Sequence, residues 1–197
     1  MAKIGWGRVL AGVATVAAAG AAYVYFKQRA AKAPPYDVLV SDGPFEIRRY
    51  PALPVLVTDQ GGTRDRALGT GFGRLAAYMF GEGREGDELP ITMPVLAEPL
   101  GDAAWRIRFL LPDTEEGSLE PPGEGVGIGV LPARNVAVIA VHGKPSDRLF
   151  KSRTIELQRW LKERQRVAAG PAEHAYYNSP LKPGKPRANE VWVPLAD

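Results

Sequence analysis

The sequence contains no cysteine and only two histidines among its 197 residues. The first absence removes disulfides, thiolate metal sites and cysteine nucleophiles together, and it is compatible with any redox compartment. His142 and His174 fall in different parts of the chain. A multi-histidine metal centre is therefore excluded, and a single axial ligand is the most that either residue supplies. Gly-x-Ser-x-Gly and His-Glu-x-x-His are both missing, so neither a common hydrolase nor a common zinc protease finds its motif. Acidic residues are scattered through loops such as Asp113-Thr114-Glu115-Glu116, at no spacing that would set two carboxylates across a substrate.

Negative charge is missing altogether from the first 33 residues, which hold Lys3, Arg8, Lys27, Arg29 and Lys32. The rest of the chain keeps 20 of the 25 basic residues against all 22 acidic ones, a net of −2. The overall excess of base is thus a property of the terminal segment, and residues 34–197 carry no nucleic-acid footprint. The basic side of the second helical stretch (Lys151, Arg153, Arg159, Lys162, Arg164, Arg166) is interleaved with acids and reads as a solvated face. No nucleic-acid partner is predicted.

Val9–Phe26 is an uncharged run of 18 residues. As a helix it spans roughly 27 Å at about 1.5 Å per residue, close to a bilayer's hydrocarbon thickness. Trp6 before the run and Tyr23, Tyr25 and Phe26 at its end stand where interfacial aromatics belong, and basic residues close both flanks. The pattern predicts a single-pass anchor over 9–26 within a terminal segment 1–33, followed by one folded domain over 34–197. A cleaved signal peptide is the competing reading, with Ala31-Lys32-Ala33 resembling a small-x-small cleavage site. Against it stand the length of the run and Pro34 directly after the cut. Orientation is not legible, because basic charge nearly balances across the run.

Beyond Pro34-Pro35 one pattern occurs twice. Tyr50-Pro51-Ala52 precedes Val55-Leu56-Val57, and Leu131-Pro132-Ala133 precedes Val136-Ala137-Val138, at a constant offset of 81 residues that also brings Gly62 onto Gly143. The first unit reads as strands 45–50 and 55–60, helix 64–80, then strands 91–97 and 105–111. The second reads as strands 126–131 and 136–142, helix 147–167, then strands 175–178 and 189–194. Thr92-Met93-Pro94 and Asn178-Ser179-Pro180 fall at matching strand ends, where proline is tolerated. The fold class is α+β: two pseudo-symmetric ββαββ repeats forming a distorted antiparallel sheet or barrel with two helices, preceded by one transmembrane helix.

The groove between helices and sheet is the predicted ligand site. Leu68, Phe72, Leu75 and Met79 recur at helical spacing in the first helix, and Phe150, Leu157 and Leu161 in the second, stripes that serve equally as core. Gly69, Gly71 and Gly73 are an odd choice for a helix interior, where each costs up to about 1 kcal/mol against alanine, and they suggest a close approach. The run lacks the lysine and the strand–turn–helix setting of a phosphate loop. Both histidines read as ordinary residues, His142 at a strand edge and His174 at the surface.

At this level of detail the chain resembles the SOUL/haem-binding proteins. Phe45-Glu46-Ile47-Arg48-Arg49-Tyr50 is similar to their opening strand, and Gly71 to Gly81, closing on Tyr78-x-x-Gly81, to their first helix. Ile91-Thr92-Met93-Pro94-Val95, Phe109-Leu110-Leu111-Pro112, Tyr177-Asn178-Ser179-Pro180 and Arg187-Ala188-Asn189-Glu190-Val191 follow in the family's order, so the likeness runs from about Tyr36 to the end. It implies the repeated fold shared with GyrI-like small-molecule-binding domains. It also implies haem or another tetrapyrrole held mainly by hydrophobic contacts, with the first helix as a wall. Carried over, that wall is Leu68, Phe72, Leu75, Ala76 and Met79, with Met93 and Tyr177 as neighbours. The sequence departs from the family in having no histidine between 34 and 141. It also has Gly69 where the family carries a basic residue, leaving Arg64, Arg66 or Arg74 to meet propionates.

The function predicted from these readings is a membrane-anchored, non-catalytic binder of a hydrophobic small molecule, haem or a related tetrapyrrole. Two alternatives stand beside it. One is an accessory subunit of a membrane-protein complex that has lost haem. The other is a small-molecule hydrolase using an acid near the groove, for which Glu190 is the residue to watch.

Overall fold

The computed structural model describes residues 33–82, 88–101, 103–112, 119–177 and 189–196. The run 9–26, Asn178-Ser179-Pro180 and Arg187-Ala188 lie outside the described residues. Among those described, no helix is long and apolar enough to cross a membrane.

Among the described residues nine strands and two helices follow one another as β1 (Asp37–Asp42), β2 (Phe45–Tyr50), β3 (Leu53–Gly61), α1 (Arg64–Met79), β4 (Val95–Pro99), β5 (Ala104–Leu110), β6 (Gly127–Leu131), β7 (Arg134–Val141), α2 (Asp147–Glu163), β8 (Glu173–Tyr176) and β9 (Asn189–Pro194). All strands join one curled antiparallel sheet in the order β1-β2-β7-β9-β8-β4-β5-β3-β6. Apart from β1, this order reads the same from both ends once β2 is exchanged for β6, β3 for β7, β4 for β8 and β5 for β9. The two ββαββ repeats are thus related by a pseudo-twofold axis between β8 and β4.

The repeats are also interlocked. β2 pairs with β7 of the other repeat, Arg48 opposite Val136, and β6 pairs with β3, Gly129 opposite Val55. Within each repeat the first two strands are therefore not partners, a point that adjacency in sequence does not convey. Pro51 and Pro132 fall in the breaks after β2 and β6, where a missing N–H takes nothing from the ladder. β1, not expected from the sequence, covers the outer edge of β2 with a bulge between Val38 and Val40.

Both helices lie on one face, α1 against β3 and β5, α2 against β7 and β9. The side chains beneath them, Leu56, Ile107, Phe109, Ile139 and Val191 among them, are fully buried. Ser146 caps α2 by accepting from Leu149 N–H at 3.3 Å. That helix ends at Glu163, short of the expected Val167. Gln165 turns left-handed (φ 54°), and the Arg166 N–H bonds back to Leu161 O at 3.0 Å. Phe150, Leu157 and Leu161 are buried as the helical spacing implied, joined by Trp160.

Candidate functional site

The stripe on α1 divides in two. Leu75 and Met79 have no exposed surface and press into the sheet, so they are core. Leu68 is half-buried at the flank, with Phe72 and Ala76 buried beside it; Phe72 meets Phe109 edge to face at 5.1 Å. The three glycines of this helix separate in the same way. A Cβ on Gly71 would lie 2.7 Å from Ile107 Cγ1, so this glycine lets the helix seat on β5. Among the described residues, Gly69 and Gly73 have nothing within 4 Å of where a Cβ would stand. At i and i+4 they form a bare ledge along the flank of Phe72 and Ala76.

The three candidate arginines also part company. Arg64 is buried, joined to Asp65 at 2.7 Å and to Asp147 at 3.1 Å, so it ties together the starts of the two helices. Arg74 lies on the far flank, where its Nη1 is 2.7 Å from the Cβ position of Gly125. The segment 119–126 runs along that side, held by Tyr78 Oη donating to Glu120 O at 2.6 Å. Arg66 is exposed and, three and seven residues before Gly69 and Gly73, shares the face of the ledge.

Met93 is buried ahead of β4, beside a cis Met93–Pro94 peptide. Tyr177 does not join the α1 wall: its hydroxyl donates to Glu190 Oε2 at 2.8 Å, on the opposite face of the sheet. The histidines stand apart from the ledge as well. His142 is exposed just past β7. His174, expected at the surface, is instead packed under the helices, stacked on the Phe150 ring at 4.1 Å and 5.4 Å from Trp105. Burial, helped by the Arg64 charge, pushes its pKa down to about 4. Neither histidine stands at the ledge on α1.

The face away from the helices is laced with ion pairs. Arg48 donates from both terminal nitrogens to Glu190, at 3.1 Å each, and from Nε to Glu46 at 2.6 Å. Glu190 Oε2 also accepts from Trp192 Nε1 at 2.7 Å. Although burial opposes its charge, the Glu190 carboxylate holds the Arg48 guanidinium above its ordinary pKa. Burial raises the Tyr177 hydroxyl, further pushed by Glu190, and carries Tyr50 up to about 12. Elsewhere on this face Glu173 accepts from Arg134 at 3.0 and 2.7 Å, Arg108 is paired to Glu98, and Arg106 clasps Asp59 with two 2.8 Å bonds.

On this same face β3, β5 and β6 frame an open cleft of about 480 Å³, within the range of small-molecule sites. The sequence shows a salt-bridged carboxylate as the ordinary role of Glu190, but neither its partners nor the cleft were legible in it. The signal was present as Arg48, Arg108 and Glu190 within strands rich in apolar residues and Glu173 at the start of another, but their pairing depends on which strands become neighbours.

A curled antiparallel sheet with two helices on one face and a hollow on the other is an α+β fold. The structure superposes on the EcmrR C-terminal domain with a TM-score of 0.60 at 12% identity, covering 82% of this chain and 98% of that one. A hydrolase from Listeria innocua gives a TM-score of 0.51 at 13% identity, covering 80% and 94%. These likenesses concern the fold alone. The model of the SOUL heme-binding protein family matches residues 31–194, and the chain belongs to that family. No curated protein sequence is significantly similar to it.

Proposed function

We propose that this protein is a membrane-anchored, non-catalytic binder of haem or a related tetrapyrrole, with the ligand lying against the outer flank of α1. The observation that carries the reading is the pair Gly69 and Gly73. Two glycines inside a helix weaken it, and unlike Gly71 they make no room for any described part of the fold. A bare strip bordered by Leu68, Phe72 and Ala76 suits a planar ring that needs close approach to a helix backbone. Arg66 is the arginine on that side, in position to meet a propionate. Leu75 and Met79 support the wall from beneath, while Tyr177 and Arg74 lie off the ledge.

Absence of catalysis is supported by the state of Glu190. Its carboxylate accepts from Arg48, Tyr177 and Trp192 at once, which leaves little lone-pair capacity for a general base. Anchoring rests on the uncharged run 9–26.

The test is a haem titration of the full chain in detergent, followed at the Soret band, with Gly73→Glu and Arg66→Glu as variants. Both substitutions fall on exposed helix positions, so the fold is retained. Saturable one-to-one binding weakened at least tenfold by both supports the ledge. Binding indifferent to both overturns that placement, and absence of saturable binding overturns the tetrapyrrole reading.

A further inference from the structure

The pseudo-twofold makes the 480 Å³ cleft informative, because the other half of the sheet shows what fills the same corner. The repeat offset carries Val55 and Val57 onto Val136 and Val138, and Glu46, Arg48 and Tyr50 onto Gly127, Gly129 and Leu131. The ladder agrees: Arg48 lies opposite Val136 and Glu46 opposite Val138, just as Gly129 lies opposite Val55 and Gly127 opposite Val57. In one half the corner is packed by the Arg48–Glu190 pair and by Tyr36, over which the guanidinium sits at 4.5 Å. In the other half two glycines replace the filling side chains, and the corner stays open.

Backbone geometry does not demand those glycines. Neither has a positive φ, and an added Cβ would meet only Val57 Cγ1 at 3.4 Å or Val55 Cγ2 at 3.9 Å, ordinary contacts. The flat floor they make with Val55, Val57 and Leu131 suits a planar apolar body.

The polar groups define the rest. Arg108 is buried and lines the cleft; its Nη1 makes no hydrogen bond, with Glu173 Oε1 standing 3.5 Å away. That nitrogen is enclosed and faces the Glu173 carboxylate, so Arg108 gives the cleft part of its wall and not a free donor. Its charge, too, is already answered. Arg106, Arg108 and Arg134 are matched by Asp59, Glu98 and Glu173, three against three. A charged ligand would enter without a counter-ion and meet one or other set of like charges.

We infer that the cleft between β3, β5 and β6 is a second binding site, taking a neutral planar apolar molecule laid on the floor of Gly127, Gly129, Val55 and Val57. It lies on the opposite face of the sheet from α1 and does not depend on the tetrapyrrole reading.

The test is equilibrium dialysis of 2-acetonaphthone, 2-naphthoate and 2-naphthylmethylammonium against the full chain in detergent, with protein-free detergent subtracted, repeated with Gly129→Leu. The ketone binds saturably, both charged analogues bind at least tenfold more weakly, and Gly129→Leu abolishes ketone binding while its circular dichroism and Tm match the parent. Lack of saturable ketone binding, a charged analogue binding as tightly as the ketone, or a folded Gly129→Leu that still binds would each overturn the proposal. Haem binding at the α1 ledge is kept in Gly129→Leu, so failure of one site is distinguishable from failure of the other.

Discussion

Arg48 and Glu190 are 142 residues apart in sequence and meet through two 3.1 Å hydrogen bonds. They come together because β2 crosses to the second repeat and lies beside β7, which in turn pairs with β9. The pair therefore reports the interlocking of the halves. Removing one member leaves a buried charge uncompensated, so Glu190→Leu is expected to cost about 3–5 kcal/mol. The double variant Arg48→Met with Glu190→Leu should recover a good part of that loss. Urea unfolding of the singles and the double measures the coupling, and additive losses would show that the pair is not coupled.

The glycines of α1 should respond in opposite directions. Gly69→Ala and Gly73→Ala raise stability by up to about 1 kcal/mol each, since alanine is the better helix former and nothing stands over either site. Gly71→Ala lowers it by about 1–3 kcal/mol, because its Cβ would collide with Ile107. Thermal melts of the three variants check the ordering, and a stabilising Gly71→Ala would contradict the seating of α1 on β5.

His174 should make the fold sensitive to mild acid. Its pKa is about 4 in the folded protein against an ordinary 6.5, so the unfolded chain binds the proton more readily. The stability this neutral histidine contributes is complete above about pH 6.5. It is lost as pH falls from there through about 4, by an amount on the order of 3 kcal/mol. A His174→Phe variant keeps the stack on Phe150 and should show a flatter profile over that window. Denaturant midpoints between pH 4 and 7 for both proteins give the comparison.

Leu75→Asp should abolish cooperative unfolding at 25 °C, because it places a carboxylate where the side chain has no exposed surface. Loss of ligand binding in that variant would reflect loss of the fold. The prediction is checked by far-ultraviolet circular dichroism, on which Leu75→Asp and Arg66→Glu should differ sharply.

Much of the architecture was legible in the amino-acid sequence because it is local. The 81-residue offset, the proline breaks at Pro51 and Pro132 and the apolar spacing in both helices are short-range patterns. They determined two strand-rich repeats with a helix each, and the folded elements follow that order. The ordered family motifs determined membership in the SOUL heme-binding proteins. Other features arise only when distant segments are brought together. The exchange of β2 and β6 between repeats decided that Arg48 meets Glu190, and that Gly127 and Gly129 open a cleft where Glu46 and Arg48 fill its counterpart. Helix-on-sheet packing decided that Gly71 seats α1 while Gly69 and Gly73 stay bare, a distinction that one Gly-x-Gly-x-Gly run cannot express. The sheet's two faces put Tyr177 and the α1 wall on opposite sides, because strand alternation assigns a face only after register and neighbours are chosen.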